Sequence, residues 1–294
     1  MKIHLCSAYR EHNALDIFLR AAALDQNNEH QSCDNPEEAD VILFVEDAHF
    51  DDYLYKKLIT HPYLRHWRHK CYMYNEVDSP WSVLPGLYCS MPQWSFEPGR
   101  QRAFPYAATP NARIQSLFST CANTERSLLF SFVGTGCNNL RKRMIKTGLD
   151  QGGTIIDTSG FNVWDCDEEE KQRQGKVFAT TMAQSKFVLC PRGLGTSSFR
   201  LFETMQAGRA PVIIADSWVA PNQSDWSFAI RIQENALDTL SDRLLAQADE
   251  AIERGGYTEG DAAMEVFFKW NDASDPNAWM RLSTFNTINR PNPS

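Results

Sequence analysis

The sequence predicts an α/β protein whose two domains are each built on a parallel sheet. Three observations carry this expectation. Short apolar runs alternate with stretches of helical period along most of the chain. The alternation breaks over residues 95–124 and then restarts. The length of 294 residues is long for one core and comfortable for two domains of about 100–150 residues each.

Taken in order, MKIHL (1–5) is a strand and HNALDIFLRAAAL (12–24) a helix. ADVILFVE (39–46) is an apolar run ending in acids, the pattern of a buried parallel strand. DDYLYKKLIT (51–60) is helical, KCYMYNEVDSP (70–80) is a third strand running into a loop, and PGLYCS (85–90) is a short fourth. Residues 95–124 set prolines beside aromatics and keep no period; the first half is an ordered crossing and the whole marks a domain border. Strands then return at 127–134, 154–159, 186–191 and 210–215, separated by helices at 138–149, 167–184 and 197–207. Residues 235–253 and 259–270 are helical, and 287–294 form a frayed tail. Two similar βα halves result: Rossmann-like domains at 1–115 and 116–286, with parallel sheets facing across a cleft.

The net charge of −8 disfavours wholesale nucleic-acid binding, so no nucleic-acid partner is expected. No apolar run approaches the roughly 18–20 residues of a membrane span, and the chain opens on a strand without a charged-then-apolar leader. A soluble, cytoplasmic protein is expected. The eight cysteines show no C-x-x-C and no zinc spacing, and are expected as free thiols.

Most of the chemistry lies in CPRGLGTSSFRLFETMQAGRAPVII (190–214). With KFVLC as a strand and TSSFRLFETMQA as the next helix, PRGLG becomes the loop at the carboxyl end of a parallel strand, where ligands of such sheets sit. Gly208 falls at the position after the helix where glycine is favoured. The helix N-terminus offers free N–H groups and partial positive charge to a phosphate. Gly193 and Gly195 let the backbone approach a ligand closely, and Thr196, Ser197 and Ser198 can cap the helix or donate to phosphate oxygens. Ser197, Arg200 and Glu203 recur every three residues and share one stripe. A guanidinium suits a diphosphate and a carboxylate one turn deeper suits a ribose diol. A plain Arg200–Glu203 ion pair with Ser197 as a simple cap explains the same residues. Neither G-x-G-x-x-G nor the P-loop pattern fits, which leaves an NAD(P) oxidoreductase as a remote alternative.

The segment SKFVLCPRGLGTSSFRLFETMQAGRAPVIIADSWVAP (185–221) resembles the C-terminal signature of the exostosin family, glycosyltransferase family 47. LLFSFVGTGCNNLRKRMI (128–145) is similar to the start of that family's donor domain, and ADVILFVE to a strand of its first domain. The resemblance implies a GT-B fold, with an acceptor-side first domain and a nucleotide-sugar held mainly by the second. It implies inverting transfer from a UDP-sugar to a glycan or lipid-linked glycan in polysaccharide biosynthesis, with no cofactor and no essential metal. By position, Arg192 and Arg200 would face the diphosphate, Glu203 the ribose, and Ser197 and Ser198 would support the phosphate. A non-catalytic sugar-nucleotide-binding relative would keep this donor stripe and lack a base.

Inverting transfer needs a base at the acceptor hydroxyl and stabilisation of charge at the leaving diphosphate. Base candidates end first-domain strands: Glu46 and Asp47, Glu76 and Asp78, and His49, with Glu46 and Asp78 favoured. Gly134, in the G-T-G loop at 134–136, is either a close approach to donor phosphate or a plain turn. Asp165-x-Asp167 has a metal-binding spacing, but it sits at a helix start, where Asp165 with Glu168 makes a capping box. His61, His66 and His69 lie beside Arg65, Arg68 and Lys70 on a solvated basic face, or on a patch for an anionic glycan or a peripheral membrane contact. Trp164, Trp218 and Trp226 are core residues or stacking platforms, and Asp216 follows a strand into the expected cleft.

Overall fold

The structure, a computed structural model, describes residues 1–9, 13–24, 30–47, 51–107, 111–121, 125–147, 152–161, 165–221 and 225–253. The expected helix at 259–270, the tail, His49 and Trp164 lie outside them. Two compact units emerge: Met1–Thr109 with Ser217–Ser224, and Pro110–Asp216 with the described residues from Asp225 onward.

The first unit runs β1 (Lys2–Cys6), α1 (Asn13–Leu24), β2 (Gln31–Ser32), β3 (Val41–Glu46), α2 (Lys56–Ile59), α3 (Pro62–Trp67), β4 (Cys71–Asn75), β5 (Gly86–Tyr88) and β6 (Gln101–Ala103). The strands form one parallel sheet in the order β2-β1-β3-β4-β5-β6. Alternation along β3 sends Val41, Leu43 and Val45 to a layer containing Ala14 and Phe18 of α1, and Ile42 and Phe44 to the opposite layer with Tyr55, Leu58 and Leu64. Four strands were expected here and six are present among the described residues, because β2 and β6 are too short to carry a period.

The expected helix over 51–60 shrinks to α2. Asp52 explains this: its carboxylate accepts the Lys56 and Lys57 N–H groups, each at 2.9 Å, and holds the preceding residues as a turn. Helix α3 was not anticipated, although His61-Pro62 is a start signal. Pro62 occupies the first turn and the His61 ring accepts the Tyr63 N–H.

The second unit runs α4 (Ala112–Cys121), β7 (Leu128–Gly134), α5 (Asn139–Thr147), β8 (Gly153–Asp157), α6 (Glu168–Ala183), β9 (Ser185–Pro191), α7 (Phe199–Gln206), β10 (Ala210–Ile214), β11 (Ile230–Arg231) and α8 (Leu240–Glu253). Its sheet is parallel throughout, in the order β11-β10-β9-β7-β8. Phe130, Phe132, Phe187, Leu189, Val212 and Ile214 pack against Leu140 and Met144 of α5 and Leu240 and Leu244 of α8. The chain leaves β7 toward β8 on one side and returns to β9 on the other, so the topological switch lies between β7 and β9, where ligands of open α/β sheets bind.

Two parallel α/β sheets are therefore present, as the alternation requires. Cys6, Cys33, Cys71, Cys89, Cys137, Cys166 and Cys190 are free thiols. Among the described residues no helix is long and apolar enough to cross a membrane.

Candidate functional site

At the β7/β9 switch two arginines converge on one aromatic ring. The Arg200 guanidinium carbon lies 4.5 Å from the Phe132 centroid and that of Arg141 5.7 Å from it. Arg200 Nη2 donates to the Val133 carbonyl at 2.5 Å, while its Nε is buried with no hydrogen-bond partner among the described residues. Arg141 Nε donates to the Arg192 carbonyl and Nη2 to the Pro191 carbonyl, each at 3.0 Å. Burial, with Arg141 adding repulsion, lowers the Arg200 pKa to about 10. A buried polar hydrogen without an acceptor is costly, and Arg200 Nε is such a donor among the described residues.

The surrounding backbone is built to hold this pair. Asn138 precedes α5, and its Oδ1 accepts the Arg141 N–H at 2.9 Å in the manner of a cap. Its Nδ2 reaches across to the carbonyls of Arg192 and Gly193, at 3.1 and 2.7 Å, and fixes the loop after β9. Gly134 ends β7 under Arg200: an added Cβ would lie 2.6 Å from Arg200 Nη2. Gly134 is thus a close approach, made to the arginine side chain.

Helix α7 begins at Phe199, two residues later than the sequence suggests. Ser198 is the N-cap with φ −153°, and its side chain makes no cap hydrogen bond. The stripe is shortened accordingly: Arg200 and Glu203 lie on the helix, and Ser197 sits before it as a buried loop residue. Gly208 takes φ 59° after the helix end, as its position predicts. Glu203 Oε1 accepts from Asn111 Nδ2 at 2.7 Å. Burial raises the Glu203 pKa, against that hydrogen bond and the Arg200 charge. Arg192 is committed elsewhere, with Nε on Glu234 Oε1 at 2.8 Å. Glu234 and Asp216 each accept the other's backbone N–H on a carboxylate, which ties the loop after β9 to the segments after β10 and β11. Gly193 and Gly195 lie in that loop and take no left-handed φ.

The first-unit acids separate by environment. Glu46 shares a face with Ile42 and Phe44 and has 0% exposure. Its carboxylate accepts from Ser7 Oγ at 2.9 Å and from the Ala8 N–H at 2.8 Å, closing the loop after β1. Asp78 is exposed. Glu76, just past β4, is partly buried; its Oε2 accepts from Tyr74 Oη at 2.8 Å and the Ala107 N–H at 3.3 Å. Burial pushes the Glu76 carboxyl up to about 7; Tyr74 and Ala107 oppose the push and Asp47 adds to it.

Other candidates resolve structurally. Asp167, not Asp165, caps α6, accepting the Glu170 N–H at 2.8 Å. His61 packs edge-on against Phe44, and Lys70 Nζ donates to the Glu37 and Ala39 carbonyls. Trp218 is buried, and Trp226 packs on Phe228 with centroids 5.3 Å apart.

The model of the exostosin GT47 domain matches residues 63–246. The chain belongs to the exostosin GT47 domain family. It is 34% identical over 89 residues to Exostosin-1 of Drosophila melanogaster, covering 30% of this chain and 11% of that protein. It is 24% identical over 136 residues to ribitol-5-phosphate xylosyltransferase 1 of Danio rerio, covering 46% of this chain and 29% of that one. The matches thus span less than a third of these relatives. Among solved structures it is similar to an alpha-glucosyltransferase in complex with UDP and DNA, at 10% identity and a TM-score of 0.46, covering 98% and 99% of the two chains.

Within this exostosin-family chain, Arg141, Asn138 and Asn111 are the site residues that sequence reasoning missed. Asn138 three residues before Arg141 was a legible capping signal. Asn111 gave none, because its partners Glu203 and Gln206 are more than ninety positions away.

Proposed function

We propose that this chain is an inverting glycosyltransferase that moves a sugar from a UDP-sugar to a glycan or lipid-linked glycan acceptor. The observation that carries the reading is the pair of guanidiniums at the β7/β9 switch, with Arg200 Nε buried and lacking a partner among the described residues. A diphosphate would fill that need: Arg200 and Arg141 bind its oxygens, and both gain strength as charge develops on the leaving group. Glu203, steadied by Asn111, accepts from the ribose hydroxyls. Arg192, paired with Glu234, shapes the loop around the phosphates. Because fixed cations supply the charge, the reaction needs no essential metal, and chelator leaves turnover within about two-fold.

The test is thermal stability with UDP, GDP, CMP, ADP and NAD. A ligand at about 100 times its Kd raises stability by about 2.7 kcal/mol. UDP is expected to stabilise wild type and to leave Arg200→Ala unchanged. Stabilisation of Arg200→Ala equal to that of wild type would remove the diphosphate reading. A response to NAD alone would favour the oxidoreductase alternative.

A further inference from the structure

We propose that the outer face of residues 53–70 binds the surface of an anionic lipid bilayer. The face lies wholly on the first unit, and its test is separate from that of the arginine pair in the second.

Residues 53–70 hold Lys56, Lys57, Arg65, Arg68 and Lys70 and no aspartate or glutamate, in a chain whose net charge is −8. They form the turn before α2, then α2, α3 and a 3-10 turn over Arg68–Lys70. Tyr55, Leu58 and Leu64 fix which side faces in, being buried in the layer with Ile42 and Phe44. Lys56 and Ile59 are then exposed three residues apart, as are Arg65 and Arg68. Neither Arg65 nor Arg68 forms an ion pair with a described residue.

Apolar groups stand out beside these cations. Tyr53 is 69% exposed, and Leu54 and Ile59 are each 48% exposed. The turn at Asp52 puts the first two there. The Tyr55 N–H donates to the Asp52 carbonyl at 3.0 Å, and Tyr55 takes a left-handed φ of 53°, a costly conformation for an aromatic residue. Its hydroxyl accepts from Asn75 Nδ2 at 2.7 Å, which holds the ring inward and leaves Tyr53 and Leu54 outside.

Acids border the run and do not interrupt it. Asp51 and Asp52 precede it, and Asp52 is engaged by the Lys56 and Lys57 N–H groups and by Tyr9 Oη at 2.8 Å. At the other end Lys70 Nζ binds the Glu37 and Ala39 carbonyls and lies over the Trp67 ring, while Glu38 pairs with Lys2. Lys57 Nζ lies over the Tyr9 ring. Arg65 and Arg68 are the cations left to a partner.

Cations interleaved with exposed apolar side chains fit a bilayer surface, where the cations meet anionic head groups and the apolar groups enter the interface. A soluble polyanion would meet the cations and leave Tyr53, Leu54 and Ile59 in water. A lipid-linked acceptor of the transfer proposed above would lie at such a surface.

The experiment is co-sedimentation of the full chain with vesicles of phosphatidylcholine and of an equal mixture with phosphatidylglycerol, beside binding to heparin. Wild type is expected to bind the anionic vesicles at least about ten-fold more tightly than the neutral ones, and less as salt rises. Arg65→Glu with Arg68→Glu is expected to lose at least about ten-fold of that affinity at an unchanged Tm, since each cation near the surface is worth about five-fold. Should charge reversal lower the Tm, Arg65→Gln with Arg68→Gln reads the same loss. Leu54→Ser with Ile59→Ser is expected to weaken vesicle binding at least about three-fold and to leave heparin binding unchanged.

Equal binding to the two kinds of vesicle overturns the proposal, as does vesicle affinity undiminished by loss of the two arginines. Heparin binding tighter than vesicle binding, with Leu54→Ser and Ile59→Ser without effect on either, also overturns it by making the face a site for a soluble polyanion.

Discussion

An added methyl group at Gly134 would press on the far end of Arg200 and, at 2.9 Å, on the Phe132 ring. Phe132 belongs to the core and Arg200 to the proposed phosphate seat, so the strain falls on both. Gly134→Ala is expected to cost about 1–3 kcal/mol in urea unfolding and to weaken UDP at least ten-fold; unchanged UDP affinity would show that Arg200 adjusts without cost. Residues legible in the sequence were those whose chemistry is local. Arg200 and Glu203 share a helix face by spacing alone, and both lie at the site. Residues whose role depends on a distant partner were not legible. Nothing near Arg192 announces Glu234, forty-two positions on, and nothing near Glu46 shows that Ser7 and Ala8 take up its carboxylate.

At the scale of elements, helix α7 is held at its far end by a residue that the motif does not advertise. Arg209 is 2% exposed and donates to the carbonyls of Ala183 at the end of α6, and of Ala207 and Gly208 at the end of α7. A cation among carbonyls at two helix C-termini is favourably placed against both dipoles. Its removal leaves buried acceptors unsatisfied, each worth about 1–3 kcal/mol. Arg209→Met is expected to destabilise by at least about 2 kcal/mol in urea unfolding; a loss below about 0.5 kcal/mol would show that the carbonyls find other donors. The long, strongly periodic elements were legible: β3, β7, β9, β10 and α6 lie where the apolar runs put them. The two-residue strands were not, since pairing rather than pattern defines them. The start of α7 was ambiguous because Thr196, Ser197 and Ser198 are all competent caps, and only the extended φ of Ser198 selects one.

At the scale of the whole molecule, the acids with raised pKa tie stability to pH. Glu76 rises from its ordinary 4.5 to about 7, and Glu203 rises as well, each chiefly through burial. The folded protein holds these protons more tightly than the unfolded chain does. Their contribution to stability is therefore largest below the ordinary value and declines as pH climbs to about 7. Glu76→Gln stays neutral throughout, so its Tm is expected to exceed that of wild type at pH 8 and to match it at pH 4.5; equal Tm values at both would mean that Glu76 is not desolvated. The central proposal concerns the second unit: the Arg141 and Arg200 guanidiniums at the β7/β9 switch are proposed to hold a nucleoside diphosphate. Equilibrium titration of wild type and Arg200→Ala with UDP and with uridine tests it most directly. The account predicts that wild type binds UDP at least about 100-fold tighter than uridine, and that Arg200→Ala loses most of this difference while keeping its affinity for uridine. Equal affinity of wild type for UDP and uridine, or an undiminished preference for UDP in Arg200→Ala, would contradict it.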